Sequence, residues 1–343
     1  VFDAPAQTTA KKAAPLVQEA DASRSTEEEA ATRSSRDLDA ENGHSESITI
    51  DLNADGKPTS EGDYDHWYYY ANSTALRLYD GTFTLQPSSE PGAVSALQVD
   101  LYIFEDAKFN GDTVGHHAYN YGNISNGTFQ GEVYNYGTIS NGTFQGSVGN
   151  YQTISGGTFQ KPVNNYGGTI SGGTFEEVVE MNESPEGVTI EGGTFKKGIE
   201  LNAHAFYPTI IDGLFDGKVS AAEGYSGTLS ISGGLFTKDV DVSSITNLPN
   251  LQITGGYFVN EPTMPEGSDT AFTTVSDQSC RAFHVPVNDG FSEGYSSLYV
   301  PRGISERQPN TITVKTNTKL LYYLADGERF PVPDSNGDSY IYE

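Results

Sequence analysis

The sequence predicts an all-β protein, a parallel β-solenoid of about ten coils. The prediction rests on a six-residue motif that recurs eight times between residues 124 and 258. Its regular copies, Ile-Ser-Asn-Gly-Thr-Phe and Ile-Ser-Gly-Gly-Thr-Phe, end at Phe129, Phe144, Phe159 and Phe175. Successive motif phenylalanines lie 15 to 22 residues apart, whereas the Ile-to-Phe offset is always five. A fixed segment within a repeat of changing length is typical of stacked coils with insertions elsewhere in each coil.

Each copy of the motif predicts two short strands joined by a bend, with the Ile and the Phe pointing inward. The glycine two residues before the Phe supplies the bend, because glycine adopts left-handed backbone without a steric clash. A third apolar residue follows four positions after the Phe, as Val133 follows Phe129. Three apolar columns thus predict a three-sided core, in which coils stack at the ~4.8 Å spacing of strands. The crossover rule predicts a right-handed solenoid.

The motif extends toward the N-terminus in weaker form. Residues 78–83 keep the five-residue offset and the Gly-Thr-Phe ending, and we interpret them as a further copy. Phe104 and Phe109 keep the offset without the glycine, so we predict a degenerate coil there.

The pattern divides the chain into three regions. Residues 1–45 contain few large apolar side chains, which predicts a low-complexity tail or an arm that orders on a neighbouring subunit. Residues 46–262 are predicted to form an N-terminal cap and the solenoid. Residues 263–343 abandon the repeat, and strand patterns at 311–314 and 320–324 predict a β-rich C-terminal cap.

Composition narrows the possible partners. The formal net charge is −27, with only 19 Lys and Arg, which argues against nucleic acid and anionic membranes because both bind basic surfaces. No segment of the sequence has the length and apolarity for membrane insertion. One cysteine, Cys280, excludes an internal disulfide framework. A trimmed mature chain would show no signal peptide at Val1, so an extracellular location remains compatible with the sequence.

The motif I-S-G-G-T-F, repeated at these intervals, resembles the β-solenoid domains of secreted and wall-associated bacterial surface proteins. It is more distantly similar to the pectate-lyase-like right-handed β-helix superfamily. The resemblance covers about residues 78–262 and implies an extracellular or cell-surface location. Such families include adhesins, carbohydrate-binding modules and polysaccharide lyases, so the resemblance implies a fold without choosing an activity.

Two polar columns mark the four coils across residues 110–175, which we call the narrow coils because their repeat is shorter than that of the wide coils that follow. Asn residues recur where wider coils carry apolar residues, which predicts an inward ladder of hydrogen-bonded amides at Asn120, Asn135, Asn150 and Asn165. The tyrosines next to them must then point outward, at Tyr121, Tyr136, Tyr151 and Tyr166. Such a tyrosine ladder is either a platform that binds sugar rings or a set of cross-strand pairs that stabilises the sheet.

An acidic column follows in the wider coils, at Glu180, Glu200 and Asp241. Exposed charge pairing between coils is the favoured interpretation. The alternative is an enzyme, because carboxyls on adjacent coils would lie ~5 Å apart, as in retaining glycosidases. A β-helix lyase would also need calcium ligands and a basic proton acceptor, which the narrow coils do not offer.

Calcium is the only cofactor to which the sequence points. Asp51, Asn53 and Asp55, followed by Gly56, begin like an EF-hand loop. A second set has similar spacing, at Asp334, Asn336 and Asp338. The alternative at both places is a turn rich in Asp and Asn.

These observations favour a non-enzymatic extracellular surface protein. It would act in adhesion or glycan binding through the tyrosine ladder, or as a structural rod. One alternative is a self-assembling filament or spacer subunit joined through the N-terminal arm. The other is a β-helix polysaccharide lyase or glycoside hydrolase.

Overall fold

A computed structural model describes residues 46–70, 74–182, 184, 187–203, 205–276, 283–287, 291–295, 297–302, 311–316, 319–324, 331–333 and 339–341. Within these ranges the regular secondary structure is β-strand, apart from one 3₁₀ turn at Leu248–Asn250, and turns and irregular segments connect the strands. The described ranges contain no helix with the length and hydropathy of a membrane span. The predicted N-terminal tail lies outside the described residues.

The strands fall into an entry region, narrow coils, wide coils and a C-terminal region. The entry strands are β1 (Ser47–Leu52), β2 (Trp67–Tyr69), β3 (Ala75–Pro87), β4 (Ala96–Leu97) and β5 (Asp100–Val114). The strands of the narrow coils are β6 (Ala118–Asn120), β7 (Asn123–Phe129), β8 (Val133–Asn135), β9 (Thr138–Ile139), β10 (Thr143–Phe144), β11 (Val148–Asn150), β12 (Thr153–Ile154), β13 (Thr158–Phe159), β14 (Val163–Asn165), β15 (Thr169–Ile170) and β16 (Thr174–Phe175).

The remaining strands belong to the wide coils and the C-terminal region. The wide coils contain β17 (Val179–Met181), β18 (Val188–Ile190), β19 (Thr194–Phe195), β20 (Ile199–Leu201), β21 (Pro208–Ile210), β22 (Leu214–Phe215), β23 (Val219–Ala221), β24 (Leu229–Ile231), β25 (Leu235–Phe236), β26 (Val240–Asp241), β27 (Leu251–Ile253) and β28 (Tyr257–Phe258). The C-terminal strands are β29 (Phe272–Ser276), β30 (Phe283–Val287), β31 (Phe291–Tyr295), β32 (Ser297–Pro301), β33 (Thr311–Thr316), β34 (Lys319–Leu324), β35 (Pro331–Pro333) and β36 (Ser339–Ile341).

The coils stack in parallel and in register, which confirms the predicted parallel β-solenoid. Each strand pairs with its equivalent in the next coil, so Phe144 lies between Phe129 and Phe159. All four predicted core phenylalanines are buried, and their ring centroids are 4.7 to 5.1 Å apart. The Ile and Val columns are buried in the same way. Each ring is thus stacked on its equivalents one strand spacing away.

The glycine of the motif has the predicted bent backbone in every copy. Its φ is positive at all eight positions, from 98° at Gly234 and Gly256 to 134° at Gly213. A side chain at Gly142 would also lie 3.1 Å from the carbonyl oxygen of Gly127 in the preceding coil. Glycine is therefore required at this corner for two reasons, the left-handed backbone conformation and the close approach of the neighbouring coil.

The predicted asparagine ladder is present and fully buried. The Nδ2 groups of Asn120, Asn135 and Asn150 each donate to the Oδ1 of the next asparagine, at 2.6, 2.7 and 2.9 Å. Asn135 Nδ2 also donates to the backbone carbonyl of Thr153, across the short corner of the next coil. In the wide coils this corner is a longer loop, and apolar Met181 and Leu201 occupy the column. The amides therefore pair with backbone groups that a tight corner would otherwise leave without a partner.

The register of the entry coils differs from the prediction. Phe83 pairs with Phe109, and Phe109 pairs with Ile124, so these phenylalanines continue the Ile column. Val114 occupies the position beneath Phe129. The five-residue offset is misleading here because β3 and β5 are long, bulged strands instead of two short strands with a glycine bend. Phe104 points outward, where it stacks on Tyr79.

Antiparallel strands cover both ends of the solenoid. At the N-terminal side, β2 pairs antiparallel with β3, next to the parallel strand β1. At the C-terminal side, β32 pairs antiparallel with β28 and β29, and the ring of Phe272 meets Phe258 edge-on at 5.6 Å. The predicted strand pair near residues 311–324 is an antiparallel pair of β33 and β34. Paired ends limit the exposed edges on which further strands could add.

The Phe column predicts the cost of removing one ring. Phe159→Ala should lower the free energy of unfolding by about 3–5 kcal/mol, because the cavity lies between two rings that cannot collapse together. Urea denaturation followed by circular dichroism measures the change. Thr158→Ala is the matched control, since Thr158 is the half-buried neighbour on the other side of the same strand. Equal losses in the two variants would contradict the inward placement of Phe159.

The asparagine ladder predicts that an apolar residue is tolerated only in a wide coil. Asn135→Leu should cost about 1–3 kcal/mol for each buried group left unpaired, such as Asn150 Oδ1, and it also removes the partner of the half-buried Thr153 carbonyl. Met181→Leu, in the same column, should cost less than about 1.5 kcal/mol. Thermal and urea unfolding of the two variants provide the comparison. If Asn135→Leu leaves the stability unchanged, the asparagine ladder is dispensable for the fold.

Candidate binding face

Two aromatic ladders run along the outer side of the strands that carry the buried asparagines. They lie two residues apart on each strand, and we call this surface the aromatic face. The first ladder consists of Tyr102, Tyr119 and Tyr134. The second consists of Tyr79, Phe104, Tyr121, Tyr136, Tyr151 and Tyr166. All four predicted tyrosines therefore point outward and align in a single column.

The rings of both ladders are stacked face to face. In the second ladder the centroids of Tyr121, Tyr136 and Tyr151 are 5.1 and 4.6 Å apart, with interplanar angles of 12° and 19°. These tyrosines are half-buried, and Tyr166 at the ladder's end is 37% exposed. A ring inside a ladder presents its edge and hydroxyl to solvent, because neighbouring rings cover both of its faces. Sugar stacking on such a ring would need a face that is already occupied.

The first ladder ends abruptly in the third narrow coil. The residue that follows Tyr134 in this column is Gly149, and the next residue is Asn164. Tyr134 therefore has an aromatic neighbour on one face, Tyr119, and the position of Gly149 on the other. Because glycine has no side chain, the column lacks one ring at this point, and we call this position the ladder gap.

Arg77 begins the same column toward the N-terminal cap. Its guanidinium lies 5.5 Å from the ring centroid of Tyr102, a cation–π distance. On its other side Arg77 is paired with Tyr68, whose ring is 4.5 Å from that of Tyr64. The aromatic face thus continues from the narrow coils onto the N-terminal cap.

An open groove of about 440 Å³ lies beside the aromatic face. It follows the corner between the strands that end at the core phenylalanines and the strands that begin with the core valines, as between Phe129 and Val133. Its lining includes His117, Glu132, Ser147 and Lys161. Glu132 connects the groove to the first ladder, since it accepts hydrogen bonds from the Tyr134 hydroxyl at 2.9 Å and the Ser147 hydroxyl at 3.5 Å. The groove therefore carries polar and charged side chains on a largely apolar surface, whereas the ladders are aromatic.

The tyrosines at the middle of the face have raised pKa values. The hydrogen bond to the Glu132 carboxylate, together with burial, raises the pKa of Tyr134 to about 12. Burial and the neighbouring hydroxyls of Tyr136 and Tyr166 raise the pKa of Tyr151 to about 12. Both hydroxyls are thus neutral at physiological pH and can donate or accept hydrogen bonds.

The acidic residues of the wide coils lie in the same column as the first ladder. Glu180 and Glu200 are partners on adjacent strands, followed by Ser220 and Asp241. The Ser243 hydroxyl and the Lys218 ammonium lower the pKa of Asp241, whereas a general acid in glycoside hydrolysis needs a raised one. Charge pairing between coils is present nearby, with Lys196 Nζ 3.0 Å from Glu176 Oε1. The hydrolase alternative remains a prediction for this column.

The first predicted calcium loop forms a turn in the N-terminal cap. Asn53 Oδ1 accepts hydrogen bonds from the backbone N–H groups of Asp55 and Lys57, and Asp51 Oδ1 accepts one from Gln86 Nε2. Across the described part of the chain, no three His, Cys, Asp or Glu side chains lie close enough together to hold a metal ion. Asp334, Asn336 and Asp338 lie outside the described residues. Calcium binding stays a prediction at both places.

Sequence reasoning found the second ladder and missed the first. The signal was available as the Tyr-Asn-Tyr triplets at residues 119–121 and 134–136, in which an inward Asn places both flanking tyrosines outside. In the next coil the triplet becomes Gly149-Asn150-Tyr151, which marks the ladder gap. The chain matches no protein-family model, and no curated protein or solved structure is significantly similar to it.

The raised pKa values predict a loss of stability in alkali. Unfolded tyrosine ionises near pH 10, whereas folded Tyr134 and Tyr151 ionise near pH 12. The stabilisation from the neutral ladder should be complete below pH 10 and should disappear as the pH rises from 10 through 12.

Absorbance of tyrosinate, together with urea unfolding at pH 9 and 11, measures this effect. Tyr151→Phe should reduce the loss, because phenylalanine keeps the stacked ring without an ionisable hydroxyl. Glu132→Gln should move the pKa of Tyr134 toward 10, since the carboxylate charge is removed. Titration of every tyrosine near pH 10 would contradict the buried ladder.

Proposed function

We propose that this chain is a non-enzymatic extracellular surface protein that binds a glycan through its aromatic face. The observation that carries the proposal is the confinement of the aromatic ladders to the entry and narrow coils. The same two outward columns continue through the wide coils as Glu, Ser, Asp, Asn and Ala. Coils of the same architecture thus form without aromatic residues at these positions.

This contrast favours recognition over purely structural stacking. A ladder required for the fold would be needed in every coil, because the strand geometry repeats along the whole solenoid. Tyrosine is instead concentrated in the narrow coils, which carry few charged residues and therefore have a net charge close to zero. Tyrosine edges and neutral hydroxyls offer an amphipathic surface of the kind that saccharides and protein partners use.

A neutral ligand fits the charge of the molecule better than an acidic one. The chain has a net charge of −27, so an anionic polysaccharide would meet a repulsive field. The resemblance to bacterial surface β-solenoids supports an extracellular location and a glycan or host-surface ligand, and both belong to the proposal.

A glycan array with the full chain tests the proposal. Wild-type protein should bind a subset of neutral glycans, and the double variant Tyr136→Ala, Tyr151→Ala should lose that binding while remaining folded. Tyr207→Ala is the matched control, since Tyr207 is 55% exposed in a wide coil, away from the aromatic face. Binding that is unchanged in the double variant would end the proposal, as would a blank array for the wild type.

A structural rod is the second candidate function. It is favoured by the unbroken column of stacked rings from Phe129 to Phe258, which makes each coil a support for the next. Size-exclusion chromatography with light scattering tests self-assembly, and a lyase assay with divalent metal tests the enzymatic alternative. A rod without a ligand would give a blank array and an elongated monomer or a regular assembly.

A further inference from the structure

We infer that the ladder gap at Gly149 is a binding position for a single saccharide ring of a neutral glycan. The inference rests on the proposed function and specifies its location and geometry. The second ladder buries the ring faces of its inner tyrosines, so ring stacking there is closed to a ligand. In the first ladder, the face of Tyr134 opposite Tyr119 lies toward a residue with no side chain.

The strand spacing at the gap matches the thickness of one ring. Tyr134 and Asn164 lie two strands apart in the column, roughly 9–10 Å, with Gly149 between them. The ladders stack their rings at 4.6 to 6.0 Å, so one further ring fits between these two positions. In the two preceding coils, Tyr119 and Tyr134 lie beside Tyr121 and Tyr136. The same strand geometry would place a ring at this position beside Tyr151.

The backbone at Gly149 does not itself require glycine. Gly149 lies in the extended strand β11 and has no positive φ. A Cβ there would meet Tyr151 at 3.4 Å, Tyr134 at 3.7 Å and Tyr166 at 3.8 Å, which are ordinary contacts. The missing side chain is therefore a local feature of this coil, unlike the glycines at the bends. The three tyrosines surround the position with aromatic carbon.

The groove beside the gap supplies the polar part of the site. Ser147 precedes Gly149 by two residues on the same outer side, and it lines the groove together with Gln130, Gln145, Glu132, Lys161 and His117. These side chains offer donors and acceptors on one side of the gap, whereas the tyrosines offer apolar contact. A saccharide has this combination, an apolar ring face with hydroxyls around its rim. A purely apolar aromatic ligand would leave the groove's polar groups unused, which favours the saccharide.

Glu132 positions the stacking ring. Its carboxylate accepts the hydrogen bond of the Tyr134 hydroxyl, which fixes the ring along the strand toward the groove. The same carboxylate accepts a hydrogen bond from Ser147, next to the gap. The ring that would contact the sugar and the groove that would bind its hydroxyls are thus connected through one side chain.

Filling the gap tests the inference directly. Gly149→Tyr should complete the first ladder and keep the thermal midpoint at or above that of the wild type, while it occupies the space for the ligand. Gly149→Ser is the matched control, because a serine side chain leaves the space for a ring. Tyr134→Leu is a second test variant, since it removes the stacking face but leaves the gap.

The probes are the methyl glycosides of glucose, galactose and mannose, examined by saturation-transfer NMR with the full chain. At least one should receive saturation on the C–H protons of one ring face in the wild type. Gly149→Tyr and Tyr134→Leu should weaken its binding by about tenfold or more, and Gly149→Ser by about twofold or less. Equal binding to the wild type and both test variants would overturn the inference, as would no transfer from any glycoside.

The glycan array separates this inference from the proposed function. If array binding is lost in Tyr136→Ala, Tyr151→Ala but unchanged in Gly149→Tyr, the aromatic face binds glycans and the gap does not. If the wild type binds no glycan at all, both the gap and the proposed function are wrong. Loss of array binding in Gly149→Tyr, with Gly149→Ser unaffected, supports both.

Discussion

The parallel, in-register contact between successive coils determines the inside and the outside of this molecule. Because the strands of the coils pair with their equivalents one spacing away, equivalent positions meet in columns along the solenoid, and many of these columns repeat the same side chain. Inside, this register stacks Phe on Phe and Asn on Asn. Outside, it stacks Tyr on Tyr, whether or not the stack binds anything. The sequence repeat is thus converted directly into a repeat of contacts.

The difference between narrow and wide coils follows from the corner after the Val strand. In a narrow coil this corner has few residues, so a backbone carbonyl such as that of Thr153 lies close to the core and accepts a hydrogen bond from an Asn amide. In a wide coil a longer loop forms the corner, and Met181 or Leu201 adds apolar contact instead. The choice of residue in one core column therefore depends on the length of a loop at the surface.

The sequence was sufficient for the repeating part of the fold. The constant five-residue offset identified the inward Phe and Ile residues, and the replacement of Asn by Met or Leu identified the fourth inward column. It was insufficient in the entry region, where β3 and β5 bulge and the Gly-Thr-Phe ending at Phe83 falls in the Ile column. A bulge changes the register without a mark in the apolar pattern, so only the strand pairing reveals it.

The sequence predicted that the tyrosines of the aromatic face point outward, but it did not predict how their rings stack. Alternation along a strand places Tyr136 outside once Asn135 is inside. The stacking that covers the ring faces depends on side-chain rotamers, which the alternation does not specify. Gly149 illustrates the difference, since a glycine in a strand is ambiguous in sequence and becomes a gap only when Tyr134 and Asn164 are found on either side of it.

The register itself is the claim on which the columns, the ladders and the gap depend. Methyl NOE spectroscopy on protein labelled at the isoleucine δ1 methyl groups measures it most directly. In-register stacking should give cross-peaks that connect Ile124 to Ile139, Ile139 to Ile154 and Ile154 to Ile170, because these buried side chains are neighbours on adjacent strands. Absence of these cross-peaks, with Ile154 close to residues of other columns instead, would contradict it.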